Sequence, residues 1–155
     1  MRATIEPVTA GSVEAAVTLL EAQLHEHDLA TPATLLRAVV ERVCSSANEG
    51  VMFLARVPDA VEPIGIAFAA AHLSAEHGGT VGWLEELYVK PDQRGCGAGS
   101  ALLRAVISHA QEQQWRAVEL EVVAGHERVA ALYERHQFTN AHRTRFTRTL
   151  AADQP

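Results

Sequence analysis

Leu87-Tyr88-Val89-Lys90-Pro91-Asp92-Gln93-Arg94-Gly95-Cys96-Gly97-Ala98-Gly99-Ser100 joins three kinds of segment in one short stretch. An apolar, β-prone run ends at a Pro-Asp turn. Arg-Gly-x-Gly-x-Gly follows, and an amphipathic helix then opens with Leu102, Leu103, Val106, Ile107 and Ala110 at helical spacing. A strand, a glycine turn and a helix start gather several backbone N–H groups that lack an intrahelical acceptor, at the positive end of a helix dipole. Such a point binds phosphate or pyrophosphate, so a phosphorylated cofactor is expected.

The chain has 155 residues, which predicts one domain over 1–150 with 151–155 as a C-terminal tail. Apolar content of 48% and charged content of 21% are those of a soluble globular protein. No apolar run nears the ~20 residues of a membrane span, and the N-terminus lacks a signal peptide's basic-then-apolar pattern. A cytoplasmic protein is expected, with no membrane partner. Cys44 and Cys96 make no disulfide framework and no metal-ligand pair. A formal charge of −6 argues against a nucleic-acid partner and fits a cationic substrate.

Working outward, Ala3 to Glu6 reads as a strand and Ala10 to His27 as a helix, with Val13, Ala16, Val17, Leu20 and Leu24 on one face. Thr31-Pro32 predicts a capped start for a second helix to about Cys44. Val51–Val57 and Ile64–Leu73 are strands, Gly78-Gly79 a hairpin turn, and Thr80–Val89 the strand that feeds the glycine turn. The helix after the turn runs to about Gln113. Ala117–Val123 alternates as a further strand with one wetter face. Val129, Leu132, Tyr133 and His136 predict a short helix with one buried face, and Arg143–Leu150 a final strand. The order is β-α-α-β-β-β-α-β-α-β, an α/β (α+β) fold.

Three glycine turns compete for this context. A P-loop needs Lys-Ser or Lys-Thr after its last glycine, where Ser100-Ala101 stands. A dinucleotide fold places its glycines after the first strand, whereas these follow the fourth. The third is coenzyme A. Here Arg94-Gly95-Cys96-Gly97-Ala98-Gly99, preceded by Glu85-Glu86-Leu87-Tyr88-Val89 and followed by Ala131-Leu132-Tyr133-Glu134-Arg135, strongly resembles the GNAT superfamily of N-acetyltransferases. The motifs span about residues 80–140. The local pattern is similar to the spermidine/spermine N-acetyltransferase branch.

The resemblance implies a mixed, mostly antiparallel sheet with helices on both faces, splayed at the fourth strand where acetyl-CoA wedges in. It implies that backbone amides of Gly95, Cys96, Gly97, Ala98, Gly99 and Ser100 hold the pyrophosphate with Arg94 beside it. Along Leu87-Tyr88-Val89, Leu87 and Val89 would pair their backbone with the pantetheine arm, in the manner of strand addition. His126 stands where many members carry an Asn on that arm. Gln137 replaces the glycine that usually follows the late helix, where a positive φ is often required.

Acetyl transfer asks for a base, because an alkyl amine with a pKa of about 10 is protonated in water. Strand alternation puts Glu85 on one face with Trp83 and Leu87, and Glu86 on the other with Leu84 and Tyr88, unless a bulge intervenes. The resemblance gives Glu85 the base role and Glu86 an amine contact; solvated strand-end carboxylates are the plainer alternative. It implies that Tyr133 protonates the departing thiolate, against its reading as a core aromatic. The oxyanion would take a backbone N–H near Leu87 or Val89.

Cys96 at a helix start suggests at most an oxidation-sensitive thiol. His25-Glu26-His27-Asp28 is a polar helix end, a substrate-facing loop or, least of all, a metal cluster, since His25 and His27 do not share a helix face. In the resembling fold it lies over the amine pocket, where Glu26 and Asp28 would recognise a cation. Arg143, Arg145 and Arg148 are edge-strand charges. The expected activity is acetyl-CoA-dependent N-acetylation of a small polyamine- or aminoglycoside-like amine. A protein lysine or N-terminal acetyltransferase, or a non-catalytic acyl-CoA sensor, are the alternatives. A homodimer is expected.

Overall fold

The computed structural model describes residues 3–58 and 60–150; the expected tail, 151–155, lies outside the described residues. The chain forms two compact units, one reaching Glu121 and one beginning at Val122.

In the first unit the strands β1 (Thr4–Pro7), β2 (Gly50–Arg56), β3 (Gly65–Ser74), β4 (Gly79–Val89) and β5 (Ala117–Glu119) form one sheet in chain order. The first three pairings are antiparallel and β4–β5 is parallel. The helices are α1 (Val13–Glu26), α2 (Ala33–Ser45) and α3 (Ala98–Glu112). This is the expected mixed α/β architecture.

Apolar residues at helical spacing decide which faces are covered. Ala16, Val17 and Leu20 of α1 and Leu36 and Val40 of α2 cluster with Leu54, Ile66 and Tyr88 of the sheet. The α3 residues Leu102, Leu103 and Val106 are fully buried against the strands without joining that cluster. Leu102 reaches toward Gly65, whose alternation with Ile66 places it on the opposite face. Helices therefore cover both faces. Each buried aliphatic side chain contributes about 1.5–3 kcal/mol.

The start of α2 departs from its expected cap. The helix begins at Ala33, and Pro32 (φ −56°, ψ 139°) is the N-cap without a side-chain bond. The Pro32 carbonyl accepts the N–H groups of Leu35 and Leu36 at 2.9 and 3.2 Å. Proline's fixed φ suits this half-in position as well as the first helical one.

Three helices end with a residue at positive φ, and none of these residues is glycine. Asp28 (56°), Gln114 (56°) and Gln137 (66°) each reverse the chain. The following N–H returns to a carbonyl inside the helix: Leu29 to Leu24 at 2.9 Å, Trp115 to Ala110 at 2.8 Å, and Phe138 to Tyr133 at 3.1 Å. This is the Schellman pattern, which satisfies carbonyls the helix leaves open.

The second unit contains a turn of 3₁₀ helix, Glu127–Val129, running into α4 (Ala130–Arg135). The expected buried face is only half realised. Leu132, Tyr133 and His136 are half-buried, and Val129 is 40% exposed.

The expected last strand does not form, and β5 stops at Glu119 rather than Val123. Over 143–150, Thr144, Phe146, Arg148 and Leu150 would share one strand face, and Phe146 and Leu150 are 91% and 77% exposed. Alternation without a continuous apolar stripe leaves nothing to bury against a partner strand. Arg143, Arg145 and Arg148 are therefore not edge-strand charges.

Candidate active site

The site is built on β4, whose two ends differ in their partners. Val81, Gly82 and Trp83 pair with Ala117, Val118 and Glu119 of β5. From Leu84 onward β5 offers no partner, while β3 continues to pair as far as Val89. The edge that faces β5 therefore opens along Leu84–Val89, the splay expected at the fourth strand.

Which backbone groups line that edge follows from the ladder. The Lys90 N–H donates to Ile64 O at 2.8 Å, and the Tyr88 carbonyl lies close over Gly65, so both point to the β3 side. Strand alternation then turns the N–H and C=O of Leu87 and Val89 outward. The Val89 carbonyl accepts a hydrogen bond from Arg94 Nε at 3.0 Å. These are the groups expected to meet the pantetheine arm.

The ladder also carries a bulge. Phe68 faces Glu86 and Ala69 faces Leu84, so Glu85 is the extra residue on β4. Its side chain is exposed, whereas Glu86 is half-buried on the face it shares with Tyr88, beneath α1. Burial pushes the Glu86 carboxyl up from the usual carboxylate range. A hydrogen bond from Gln23 opposes that shift, and the nearby Glu85 charge adds to it. Gln23 was not among the expected site residues. It occupies a place on α1, one turn after Leu20, where the apolar stripe calls for a hydrophobe.

Beyond β4 a single turn of 3₁₀ helix, Pro91–Gln93, leads to the glycine turn. Gly95 and Gly97 have φ of +82° and +84°, a conformation that costs other residues about 1–2 kcal/mol. A Cβ at either position would meet nothing within 4 Å, so the backbone stands open to an approaching group. Gly97 caps α3, whose first turn, Ala98 to Ser100, directs N–H groups toward the same space. The Ser100 hydroxyl accepts from Arg104 Nη1 at 2.9 Å. Cys96 is exposed with a free thiol. An open, amide-rich concavity at a helix start fits a pyrophosphate.

Arg94 closes one side of the turn. Its Nη2 donates to both carboxylate oxygens of Glu26, at 2.9 and 2.8 Å, and its guanidinium lies 5.9 Å from the centre of the Tyr88 ring. Glu26 and Gln23 sit one helical turn apart, on the side of α1 that meets the end of β4. Asp28 is exposed at the helix reversal. A separate open groove of about 460 Å³, lined by Glu21, Leu24, His25, Leu29 and Pro32, lies on the other side of α1 and contains none of the expected site residues. Among the described residues no cluster of three or more His, Cys, Asp or Glu is placed to hold a metal ion, and no helix is long and apolar enough to cross a membrane.

In the second unit, Tyr133 on α4 stands edge-on to Phe138 with ring centres 5.9 Å apart. His126 caps the 3₁₀ turn; its carbonyl accepts from the Val129 N–H at 3.1 Å. Gln137 adopts the positive φ expected of the glycine it replaces.

The sequence model of the Acetyltransferase (GNAT) family matches residues 18–138, and the chain belongs to that family. It is accordingly an acetyl-CoA-dependent N-acetyltransferase. No curated protein sequence matches significantly. Solved structures resemble it at low identity and support the fold. An integron cassette protein from the mobile metagenome of Cole Harbour Salt Marsh is 23% identical, with a TM-score of 0.82 over 96% of this chain and 91% of that one. AAC(6')-Iy in complex with the bisubstrate analogue CoA-S-monomethyl-acetylneamine is 19% identical, with a TM-score of 0.82 over 97% and 100%. Ribosomal-protein-alanine N-acetyltransferase from Brucella melitensis biovar Abortus 2308 is 19% identical, with a TM-score of 0.72 over 96% and 100%.

Proposed function

We propose that this chain transfers the acetyl group of acetyl-CoA directly to a primary amine of a small cationic substrate, polyamine- or aminoglycoside-like, with Glu86 as the proton acceptor. The observation that carries this reading is the half-buried Glu86 carboxylate, raised in pKa and held by Gln23, beside the point where β4 loses its second partner. A carboxylate lifted toward neutral pH is a better base than one at its ordinary value. The bulge and the exposure of Glu85 support the reverse of the roles the resemblance suggests: Glu86 takes the proton, and Glu85 draws the substrate's cationic groups.

The cofactor's thioester supplies an acyl group already activated toward amines. The amides of Gly95 through Ser100 and the Arg94 guanidinium bind its pyrophosphate, and the outward backbone of Leu87 and Val89 orients its arm. An outward N–H at one of these residues donates to the developing oxyanion. Tyr133 protonates the leaving sulfur, and His126 donates one bond to the pantetheine arm. Glu26 and Asp28 add negative charge at the end of α1 for a cationic acceptor. The net charge of −6 supports the same substrate class. The family match runs through both units, which supports reading 1–150 as one catalytic domain.

Thiol release from acetyl-CoA across polyamines, aminoglycosides, amino acids and short peptides tests the proposal. Turnover with polyamines or aminoglycosides is expected, and turnover of peptides alone would overturn the substrate class. Binding of acetyl-CoA with no turnover of any amine would favour a sensor.

A further inference from the structure

The structure joins two residues expected to serve different ligands. Arg94 belongs to the anion-binding turn, and Glu26 ends the helix that borders the acceptor side. Yet Glu26 meets Arg94 in a two-oxygen contact at 2.8 and 2.9 Å, while Arg94 Nε remains on the Val89 carbonyl at 3.0 Å. The position is a poor one for helix stability. Glu26 is the last residue of α1, where the dipole disfavours a carboxylate. The chain immediately beyond it is also held at a positive φ, at Asp28. Arg94 supplies the compensating charge, and the guanidinium fork suits a phosphate as well as a carboxylate.

We infer that Glu26 is a positioning residue: its carboxylate occupies the phosphate-binding side of Arg94 until coenzyme A binds, and the cofactor's phosphate displaces it. This rests on the reading of the glycine turn as the coenzyme A site. The displaced carboxylate no longer ties the end of α1 to the turn, so the Asp28 and Leu29 amides, bonded to His25 O at 3.1 Å and Leu24 O at 2.9 Å, lose a support when the cofactor arrives.

The test is titration of coenzyme A into the wild type and Glu26→Gln, with hydrogen exchange followed at residues 27–29. Because the pair is partly exposed, removing the competitor is expected to lower the Kd by about two- to five-fold. Coenzyme A should speed exchange at 27–29 in the wild type, and the variant should already exchange fast without it. A variant that binds coenzyme A no more tightly than the wild type overturns the inference, as does cofactor-induced protection of 27–29. Glu26→Ala, expected to tighten binding in the same direction, guards against an effect peculiar to the amide. Absence of coenzyme A binding in every protein would remove the reading of the turn itself, and the displacement with it.

Discussion

The two ends of β4 are the same strand under opposite conditions. At Val81–Trp83 it has a neighbour on each side, and the ring of Trp115 sits so close over Gly82 that a Cβ there would stand 2.4 Å from it. At Leu84–Val89 it keeps one neighbour, gains a bulge and carries two adjacent carboxylates. The closed end fixes the strand, and the open end exposes backbone and charge. Burial at one end makes the other precise, because a rigid strand holds its outward groups in a set orientation.

Substitutions at the two ends should therefore fail differently. The largest effect is expected at the open end: Glu86→Gln should lower kcat by about 10²- to 10⁴-fold while coenzyme A binding is unchanged, and Glu85→Gln should act mainly on the KM of the amine. Equal loss of kcat in both would erase the distinction the bulge draws. The raised Glu86 carboxyl also sets a pH dependence. Its neutral form is favoured by the fold, so its contribution to stability is full below the ordinary carboxylate pKa and is lost as pH rises through the raised value. Glu86→Gln should then melt higher than the wild type at pH 7 and match it in acid, and the acid limb of kcat against pH should lie above the ordinary carboxylate range.

At the closed end, Gly82→Ala should destabilise by about 1–3 kcal/mol through overpacking against Trp115, read as a lower Tm with coenzyme A affinity kept by the folded fraction. Gly97→Ala sits between these cases. It should cost about 1–2 kcal/mol from its positive φ and should also weaken coenzyme A binding. The smallest effect belongs to a helix end in the second unit: Gln137→Gly should raise stability by up to about 1 kcal/mol, measured by urea denaturation.

The glycine turn was legible in the sequence because it is dictated locally: Gly95 and Gly97 are needed for their own φ, and α3 opens directly from the turn. Helix faces were legible for the same reason. Partner-dependent features were not. A bulge depends on how Phe68 and Ala69 meet β4, so strand periodicity could not tell Glu85 from Glu86. The segment 143–150 alternates like a strand, but alternation cannot supply a neighbour. The reversals at Asp28 and Gln114 lack the glycine that advertises such ends, and only at Gln137 did the family pattern point to one. Gln23 left a faint trace, a polar residue in an apolar stripe, which gains meaning only when Glu86 lies beneath it.

The bulge at Glu85 also makes β4 a measuring rod. From Glu86 the strand advances about 3.3 Å per residue to Val89, roughly 10 Å in all, before Arg94 and the glycines begin. The spacing between the Glu86 carboxyl and the glycine turn is thus a whole number of residues. One insertion or deletion between Leu87 and Val89 would shift it by a full step and turn Glu86 to the opposite face. Reach in this enzyme is set by counting, and it changes only in jumps.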